Sequence, residues 1–360
     1  MKVIIAGGGT GGHLYPGIAI AREVLKTAGD EVLFVGTKLG IEARVLPREG
    51  LPVRFISVGK LKGMKLASVL RTLLTLPLGL IQSVSLLREV RPDVVIGVGG
   101  YSSGPVVFAA WCLRLPVLIV EPNSYAGMAN RTLGKLADRV FLCFPGTASE
   151  RFFAPGKIQK VGPLVRTGID RGDRNRSLAE FGLEPGRFTV FVMGGSGGAH
   201  AINMAMKEAA GLLKGAQQIQ VLHQTGEKDA ADVTAGYRSS GVKASVLPYI
   251  HDMAGAYAVA DLVVSRSGAT TVAELAVCGK RAILIPFPFA ADNHQEHNAR
   301  TLTGRGSAEV IVQKDLRPEM LAAVIEKYAG QGAVAATAPK MEDRAAEEIV
   351  RTCQGYVQKD

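Results

Sequence analysis

Short runs of aliphatic residues alternate with longer amphipathic segments along most of the chain. Residues 3–6 form an apolar run typical of a buried strand, residues 15–27 repeat apolar positions at helical spacing, and residues 32–35 form a second strand-like run. A strand, a helix and a strand in this order predict a βαβ unit, and therefore a parallel sheet with right-handed crossovers.

The same pattern starts again near the middle of the chain. A polar, charged stretch at residues 168–176 precedes a second strand, glycine-rich loop and helix that begin at Thr189. Further strand-like runs lie at residues 94–96, 117–120, 140–142, 219–223, 244–247, 262–264 and 282–285, and a last helix is predicted from about Arg344. The sequence therefore predicts an α/β fold of two tandem Rossmann-like, doubly wound parallel-sheet domains with an interdomain cleft, at residues 1–165 and 166–342.

Composition narrows the class of protein. The 360 residues include 42 Lys and Arg against 32 Asp and Glu, a formal net charge of +10, which favours phosphorylated substrates, anionic lipids or nucleic acid as partners. Aromatic residues make up only 6% of the chain, and without a basic run interleaved with aromatics nucleic acid is the weakest of the three. The four cysteines are widely spaced and the apolar N-terminal run is too short for a signal peptide, so we expect an intracellular protein without disulfides.

The first glycine-rich loop, Gly7 to His13, follows the first predicted strand. Glycines let the backbone approach a ligand closely, and a helix N-terminus favours anions. Gly7, Gly9 and Gly12 also match the G-x-G-x-x-G pattern of dinucleotide-binding folds, which expects an acidic residue at the end of the next strand. This chain has Gly36-Thr37-Lys38 there, so an NAD-dependent oxidoreductase is the weaker interpretation.

Two side chains at predicted strand ends are candidate general bases. His13 lies where strand passes to helix and titrates near neutral pH, although a histidine there can also simply hydrogen-bond the loop. Glu121 ends another strand and precedes Pro122-Asn123, and a solvated loop carboxylate is its equally simple interpretation. The glycine-rich loop around Tyr101 follows a third strand and points to the same sheet edge.

The second half carries a similar set of candidates. Gly194 to Gly198 would cradle a phosphate, and the helix that opens at residues 265–271 and carries Glu274 suits a diphosphate and a ribose, although ordinary N-capping also explains its hydroxyls. Residues 292–298 are rich in polar side chains, for which contacts to sugar hydroxyls are more plausible than a metal site at His294 and His297. The sequence contains neither a P-loop nor a G-x-S-x-G motif.

One segment imitates a membrane span. The run from Thr72 to Leu87 contains no charged residue but includes Pro77, Gln82 and two serines, so it predicts one or two apolar-faced helices rather than a crossing. Basic residues precede it at Lys60, Lys62, Lys65 and Arg71. A peripheral membrane patch and a core helix with a charged lead-in both fit this pattern.

Taken together, these motifs resemble the MurG family of bacterial glycosyltransferases. The family's motifs occur in the same order as GGGTGGHLYPG (7–17), GVGGYSSGP (97–105), EPNSYAGMANR (121–131), GGSGGA (194–199), SRSGATTVAE (265–274) and DNHQEHNA (292–299). The resemblance implies a GT-B, inverting N-acetylglucosaminyltransferase that moves GlcNAc from UDP-GlcNAc to the C4 hydroxyl of the muramoyl sugar of lipid I, giving lipid II. It also implies that the last helix, residues 343–360, packs back on the N-terminal acceptor and membrane-associating domain, while the C-terminal domain binds UDP-GlcNAc.

The resemblance assigns roles to single residues. It makes His13 the first choice as base, with Glu121 and Tyr101 as further catalytic candidates, and the choice between His13 and Glu121 stays open. It places substrate contacts at Thr10, Gly11, Gly12, Asn123, Arg166, Ser196, Ile250, Ala269, Thr270, Thr271, Val272, Ala273, Glu274 and Gln295. Two positions depart from the family pattern: Gly197 replaces a frequent glutamine, and Pro163-Leu164 replaces Asn-Pro before Val165-Arg166.

The resemblance also implies partners and a location. We expect lipid I, an anionic membrane surface and other wall-synthesis or division proteins as partners, no nucleic acid, and a peripheral position on the cytoplasmic face of the bacterial cell membrane. No cofactor or metal is required, and a supporting role for magnesium stays open. The alternatives are a UDP-GlcNAc 2-epimerase of the same fold and a non-catalytic nucleotide-sugar-binding scaffold.

Overall fold

The structure, a computed structural model, describes residues 1–58, 66–195, 197–304, 306–332 and 340–357, with residues 66–75 as backbone only. The chain divides into two compact units, one formed by Met1–Thr167 together with the chain from Glu342 onward, the other by Gly168–Met341. Each unit is built on a parallel sheet with its own apolar core.

The first unit contains seven parallel strands in the described residues, in the order β3-β2-β1-β4-β5-β6-β7. They are β1 (Lys2–Gly7), β2 (Glu31–Gly36), β3 (Val53–Phe55), β4 (Val94–Gly99), β5 (Val117–Glu121), β6 (Arg139–Leu142) and β7 (Ile158–Lys160). The connecting helices are α1 (Gly11–Val24), α2 (Glu42–Arg48), α3 (Leu66–Val90), α4 (Ser103–Cys112) and α5 (Met128–Leu133). Central strands are fully buried, as the apolar runs predict for a sheet covered on both faces.

The second unit repeats this plan with six described strands in the order β10-β9-β8-β11-β12-β13. They are β8 (Phe188–Met193), β9 (Ile219–Gln224), β10 (Lys243–Leu247), β11 (Leu262–Ser265), β12 (Ala282–Leu284) and β13 (Ala308–Val310). Its helices are α6 (Arg174–Glu180), α7 (His200–Ala210), α8 (Ala230–Ser240), α9 (Met253–Val259), α10 (Ala269–Cys278), α11 (His294–Thr303) and α12 (Pro318–Gly330). The predicted class of two doubly wound α/β domains is confirmed.

The last helix, α13 (Ala345–Val357), belongs to the first unit and contacts α1 and β4. Its apolar side chains Ala345, Ile349, Val350 and Cys353 are buried. The uncharged run at residues 72–87 lies within the single helix α3, which contains Pro77. None of the helices in the described part of the chain is long and apolar enough to span a membrane.

Candidate active site

The first glycine-rich loop lies where the strand order of the first sheet reverses, between the carboxyl ends of β1 and β4. Ligands of open α/β sheets bind at this kind of switch point. The N–H of Gly8 donates to the carbonyl of Gly99 at 3.4 Å, so the two strand-end loops run side by side. Gly99 has a φ of +96°, and a Cβ there would lie 2.8 Å from Cδ2 of His13. A side chain at Gly99 would therefore collide with the imidazole.

His13 is half-buried in the first turn of α1 and is oriented by its neighbour Thr10. The Nδ1 atom of His13 and Oγ1 of Thr10 are 3.1 Å apart. Thr10 has the extended backbone of an N-cap residue, yet its side chain makes no capping hydrogen bond. The threonine hydroxyl thus fixes the histidine ring instead of closing the helix.

Glu121 ends β5 fully buried and accepts four hydrogen bonds. Its Oε1 accepts from the N–H of Asn123 at 2.9 Å and from Nδ2 of Asn123 at 3.0 Å. Its Oε2 accepts from the N–H of Gly127 at 2.9 Å and from Nδ2 of Asn130 at 3.0 Å. Burial raises the pKa of Glu121, while these four donors oppose the shift by stabilising the carboxylate. The carboxyl group therefore organises the loop that carries Asn123.

Tyr101 and Arg166 also border the first loop, each through an aromatic ring. The hydroxyl of Tyr101 lies 3.0 Å from Oγ1 of Thr37, and its ring packs against Gly9. The guanidinium of Arg166 stacks 4.2 Å from the ring centre of Tyr15, which packs against Gly11. The structure thus places Arg166 with the first loop, in the same unit as His13. The departure at Leu164 fills a buried position.

The second glycine-rich loop lies at the corresponding switch point of the second sheet, between β8 and β11. Gln224, at the end of β9, donates from Nε2 to the carbonyl of Gly195 at 2.9 Å and accepts the N–H of Ile250 at 2.8 Å. One buried amide therefore ties the loop to the segment carrying Ile250. A Cβ at Gly197 would have no described atom within 4 Å, so the backbone there has room for the first atom of a side chain. Ser196 lies outside the described residues.

The N-terminus of α10 brings the next predicted contacts together. Thr270 and Thr271 lie in its first turn, and the helix N-terminus favours anions. Glu274, one turn further on, is buried and its Oε2 accepts from the hydroxyl of Tyr257 at 2.9 Å. The side chains of Ala269, Val272 and Ala273 are buried, and the N–H of Val272 donates to the carbonyl of Gly268 at 3.0 Å.

Gln295 connects this helix start to the loop after β12. Its Oε1 accepts the N–H of Phe287 at 2.9 Å, and its carbonyl accepts from Oγ of Ser267 at 2.8 Å. Nδ1 of His294 lies 2.7 Å from the carbonyl of Ala291. In the part of the chain that the structure describes, no group of three or more His, Cys, Asp or Glu side chains could hold a metal ion.

Comparison with known proteins decides among the candidate families. The sequence profiles of the N-terminal and C-terminal domains of glycosyltransferase family 28 match residues 3–142 and 189–352. A protein of Anaeromyxobacter sp. (strain Fw109-5), named UDP-N-acetylglucosamine–N-acetylmuramyl-(pentapeptide) pyrophosphoryl-undecaprenol N-acetylglucosamine transferase, is 49% identical over 331 residues, which cover 90% of this chain and 84% of that protein. The chain belongs to this transferase family. A member from Myxococcus xanthus is 47% identical over 91% of this chain and 84% of its own length.

Solved structures agree with this placement. The crystal structure of Acinetobacter baumannii MurG matches with a TM-score of 0.75 and 28% identity over 98% of this chain and 99% of that one. The GT-B fold and the class of N-acetylglucosaminyltransferase, both implied by the resemblance, are confirmed. A UDP-GlcNAc 2-epimerase of Neisseria meningitidis bound to UDP-GlcNAc has a TM-score of 0.67 at 14% identity over 99% of this chain and 100% of that one, a likeness of fold alone.

Several residues of these sites were not singled out from the sequence. Asn130, Tyr15, Gln224 and Tyr257 each hold a predicted site residue or loop in place. Asn130 and Tyr15 lie inside the quoted motifs, so their motif membership was the available signal. The sequence carried no signal for Gln224 or Tyr257, because their contacts form only in the folded sheet.

Proposed function

We propose that the chain transfers GlcNAc from UDP-GlcNAc to the C4 hydroxyl of the muramoyl sugar of undecaprenyl-pyrophosphoryl-MurNAc-pentapeptide, with inversion. The product is lipid II, the lipid-linked unit of peptidoglycan. The observation that carries this proposal is the 49% identity, over 90% of the chain, to a transferase named for these substrates. The first glycine-rich loop and the start of α10 support it, since each presents a helix N-terminus where a diphosphate would bind.

In this mechanism His13 is the general base. In the tautomer whose Nδ1–H donates to Oγ1 of Thr10, the lone pair lies on Nε2, which takes the proton of the acceptor hydroxyl. The acceptor oxygen then attacks the anomeric carbon from the face opposite UDP. Glu121 holds Asn123 toward the transferred sugar and takes no proton in this scheme.

The leaving UDP is stabilised mainly by residues of the second unit, together with Arg166 of the first. Thr270, Thr271 and the N-terminus of α10 meet the diphosphate, Glu274 the ribose hydroxyls and Gln295 the GlcNAc hydroxyls. Ile250 packs by the uracil, and Arg166 supplies a positive charge to the phosphates. No cofactor takes part in this scheme.

The acceptor carries a long polyprenyl tail, so we further propose that the first unit docks on the cytoplasmic face of the cell membrane. The helices α3 and α4 pack together and expose four large apolar side chains, Leu78, Ile81, Phe108 and Trp111. Apolar side chains beside basic residues suit an anionic lipid surface. The basic residues Lys60, Lys62 and Lys65 lie outside the described residues.

The proposal is tested by measuring UDP release from UDP-GlcNAc with and without a short-chain lipid I analogue. We expect acceptor-dependent release, and a fall of about 10²–10⁴-fold in kcat for His13→Ala, the usual contribution of a general base. A variant Asp315→Ala, at an exposed position of the second unit, serves as control. Release of N-acetylmannosamine without acceptor would instead show an epimerase, and binding without turnover a scaffold.

A further inference from the structure

Glu42, the first residue of α2, is fully buried although no motif contains it. Its Oε2 accepts the N–H of Gly9 at 2.8 Å, and its Oε1 accepts the N–H of Thr37 at 2.9 Å and the hydroxyl of Thr37 at 3.1 Å. A buried carboxylate is costly unless such donors surround it. The chain therefore uses Glu42 to hold two strand-end loops together.

The backbone around Glu42 is shaped to admit this carboxylate. A Cβ at Gly8 would lie 2.5 Å from Cδ of Glu42, and one at Gly36 would lie 2.5 Å from its Cγ. A Cβ at Gly40 would collide with the carboxylate oxygens. Three glycines from two strand-end segments thus leave room for one acidic side chain, and a larger residue at any of them would displace it.

A chain of hydrogen bonds leads from Glu42 through Thr37 to Tyr101. Because the Thr37 hydroxyl donates to Glu42, it accepts from the hydroxyl of Tyr101, 3.0 Å away. The Tyr101 ring in turn comes within 3.1 Å of the position a Cβ of Gly9 would occupy. Glu42 therefore holds Gly9 directly through its N–H and indirectly through the aromatic ring on its other side.

We propose that Glu42 is a positioning residue that pre-forms the first glycine-rich loop for the diphosphate of the lipid-linked acceptor. The inference rests on the proposed function. Glycine loops are flexible, and fixing one before binding removes an ordering cost from the binding step. The oxygens of Glu42 face donors of the chain itself, so it acts on the ligand through Gly9 and Tyr101.

The test compares Glu42→Gln with the pair Thr37→Val and Thr37→Ser. We expect kcat/KM for the short-chain acceptor to fall between about 10- and 100-fold in Glu42→Gln and Thr37→Val, the range for losing a hydrogen bond to a charged group. Thr37→Ser keeps the hydroxyl and should retain most of the wild-type activity.

The dissociation constant of UDP, measured by calorimetry, should stay within about twofold of the wild-type value in these variants, since the proposed UDP contacts lie mainly in the second unit. Glu49→Gln, an exposed carboxylate at the end of α2, is the control.

Hydrogen–deuterium exchange of the peptide covering residues 7–13 gives a readout independent of activity. Protection should fall in Glu42→Gln and Thr37→Val but stay in Thr37→Ser. Equal acceptor kinetics in Thr37→Val and Thr37→Ser, or unchanged loop protection in Glu42→Gln, would overturn the inference. Absence of acceptor-dependent UDP release in the wild type would overturn the proposed function instead, and binding of pyrophosphate to wild type and Glu42→Gln would then decide whether Glu42 prepares an anion site.

Discussion

At the scale of single residues, the environments of Glu121 and His13 suggest different tasks. Each oxygen of Glu121 accepts two N–H donors, three of them from the loop it begins and the fourth from Asn130 on α5. His13 is half-buried, and Nδ1 of its ring lies 3.1 Å from Oγ1 of Thr10. A base must exchange a proton with substrate, whereas a group that holds a loop must keep its hydrogen bonds.

The substitution Glu121→Gln separates these tasks. The amide would turn an NH₂ group toward backbone donors, so the loop around Asn123 should loosen and kcat should fall by about 10–100-fold, the effect of losing a hydrogen bond to a charged group. We expect kcat of the wild type to rise with pH as the general base loses its proton, and this rise should persist in Glu121→Gln, because His13 is unchanged. The measurement is a pH profile of kcat for both proteins. Loss of the pH-dependent rise in Glu121→Gln would make Glu121 the base.

His223 in β9 predicts a pH dependence of stability. It is fully buried between the hydroxyl of Tyr237, 2.9 Å from Nδ1, and Oδ1 of Asn203, 3.1 Å from Nε2. Burial lowers the pKa of His223 to about 3 from 6.5. Below pH 6.5 the unfolded chain therefore binds a proton that the folded chain does not, and stability falls as the pH falls toward 3.

Hydrogen exchange of second-unit peptides as a function of urea measures this effect. From pH 6 to pH 4.5 the free energy of unfolding of the wild type should fall more steeply than that of His223→Gln, by about 1.4 kcal/mol per pH unit. Glutamine offers polar atoms to Tyr237 and Asn203 without titrating. Parallel slopes in the two proteins would show that His223 is not the source.

The sequence singled out the strand ends that carry the candidate site residues, but not the side chains that hold these loops in place. His13 and Glu121 were singled out because they lie where apolar runs end, and Glu274 because it lies on the helix that opens after another such run. In each sheet the carboxyl ends of the parallel strands meet at one edge. The partners of these loops come from distant positions: Glu42 lies 33 residues from Gly9, and Gln224 lies 29 residues from Gly195. Such pairs depend on strand order and register, which a single sequence does not reveal.

At the scale of elements, most buried strands were predicted within one residue at each end, β4 runs three residues beyond its predicted end, and the short edge strands β3, β7 and β13 were missed. The strands β3, β7 and β13 have three residues each and lie at or next to sheet edges, where burial is partial. An apolar run that brief does not stand out from a loop. The helix α1 begins at Gly11, four residues before the apolar repeat predicted, because glycines give no helical signal.

The C-terminal helix α13 supplies part of the core of the first unit. Ile349 is fully buried on the helix that contacts α1 and β4. Ile349→Ala should lower the free energy of unfolding of this unit by about 2–5 kcal/mol, the usual cost of such a cavity. The single tryptophan, Trp111 in α4, lies in the same unit and reports its unfolding in urea by fluorescence.

A matched variant on the same helix provides the control. Arg351 is exposed and pairs with Glu347 one turn away, so Arg351→Ala should change stability by less than about 1 kcal/mol. If Ile349→Ala were as mild as Arg351→Ala, the helix would contribute little to the unit, and the chain beyond Met341 would be dispensable for its stability.

At the scale of the whole molecule, the side chains proposed to bind the donor and those proposed to contact the membrane lie mainly in different units. The proposed donor contacts of α10 and α11 belong to the second unit, while the exposed apolar side chains of α3 and α4 belong to the first. A chain whose net charge is +10 is drawn to anionic lipid, but charge alone does not select a face. The exposed apolar side chains would select the face that docks, because their transfer into lipid is favourable only where they leave water.

Vesicle binding of Leu78→Asn/Ile81→Asn tests this docking face. The two side chains are 47% and 66% exposed, so their replacement should leave the fold intact while removing apolar surface that would enter the lipid interface. We expect affinity for phosphatidylglycerol vesicles to fall at least about tenfold, since complete burial of each side chain contributes on the order of 1.5–3 kcal/mol.

The fluorescence of Trp111, which lies against Phe108 on α4, should shift to shorter wavelength on binding in the wild type. Met320→Asn, 45% exposed in the second unit, should bind like the wild type. If the double variant bound as tightly as Met320→Asn, the membrane contact would not depend on these two side chains, and loss of binding at high salt in every variant would show that it is electrostatic.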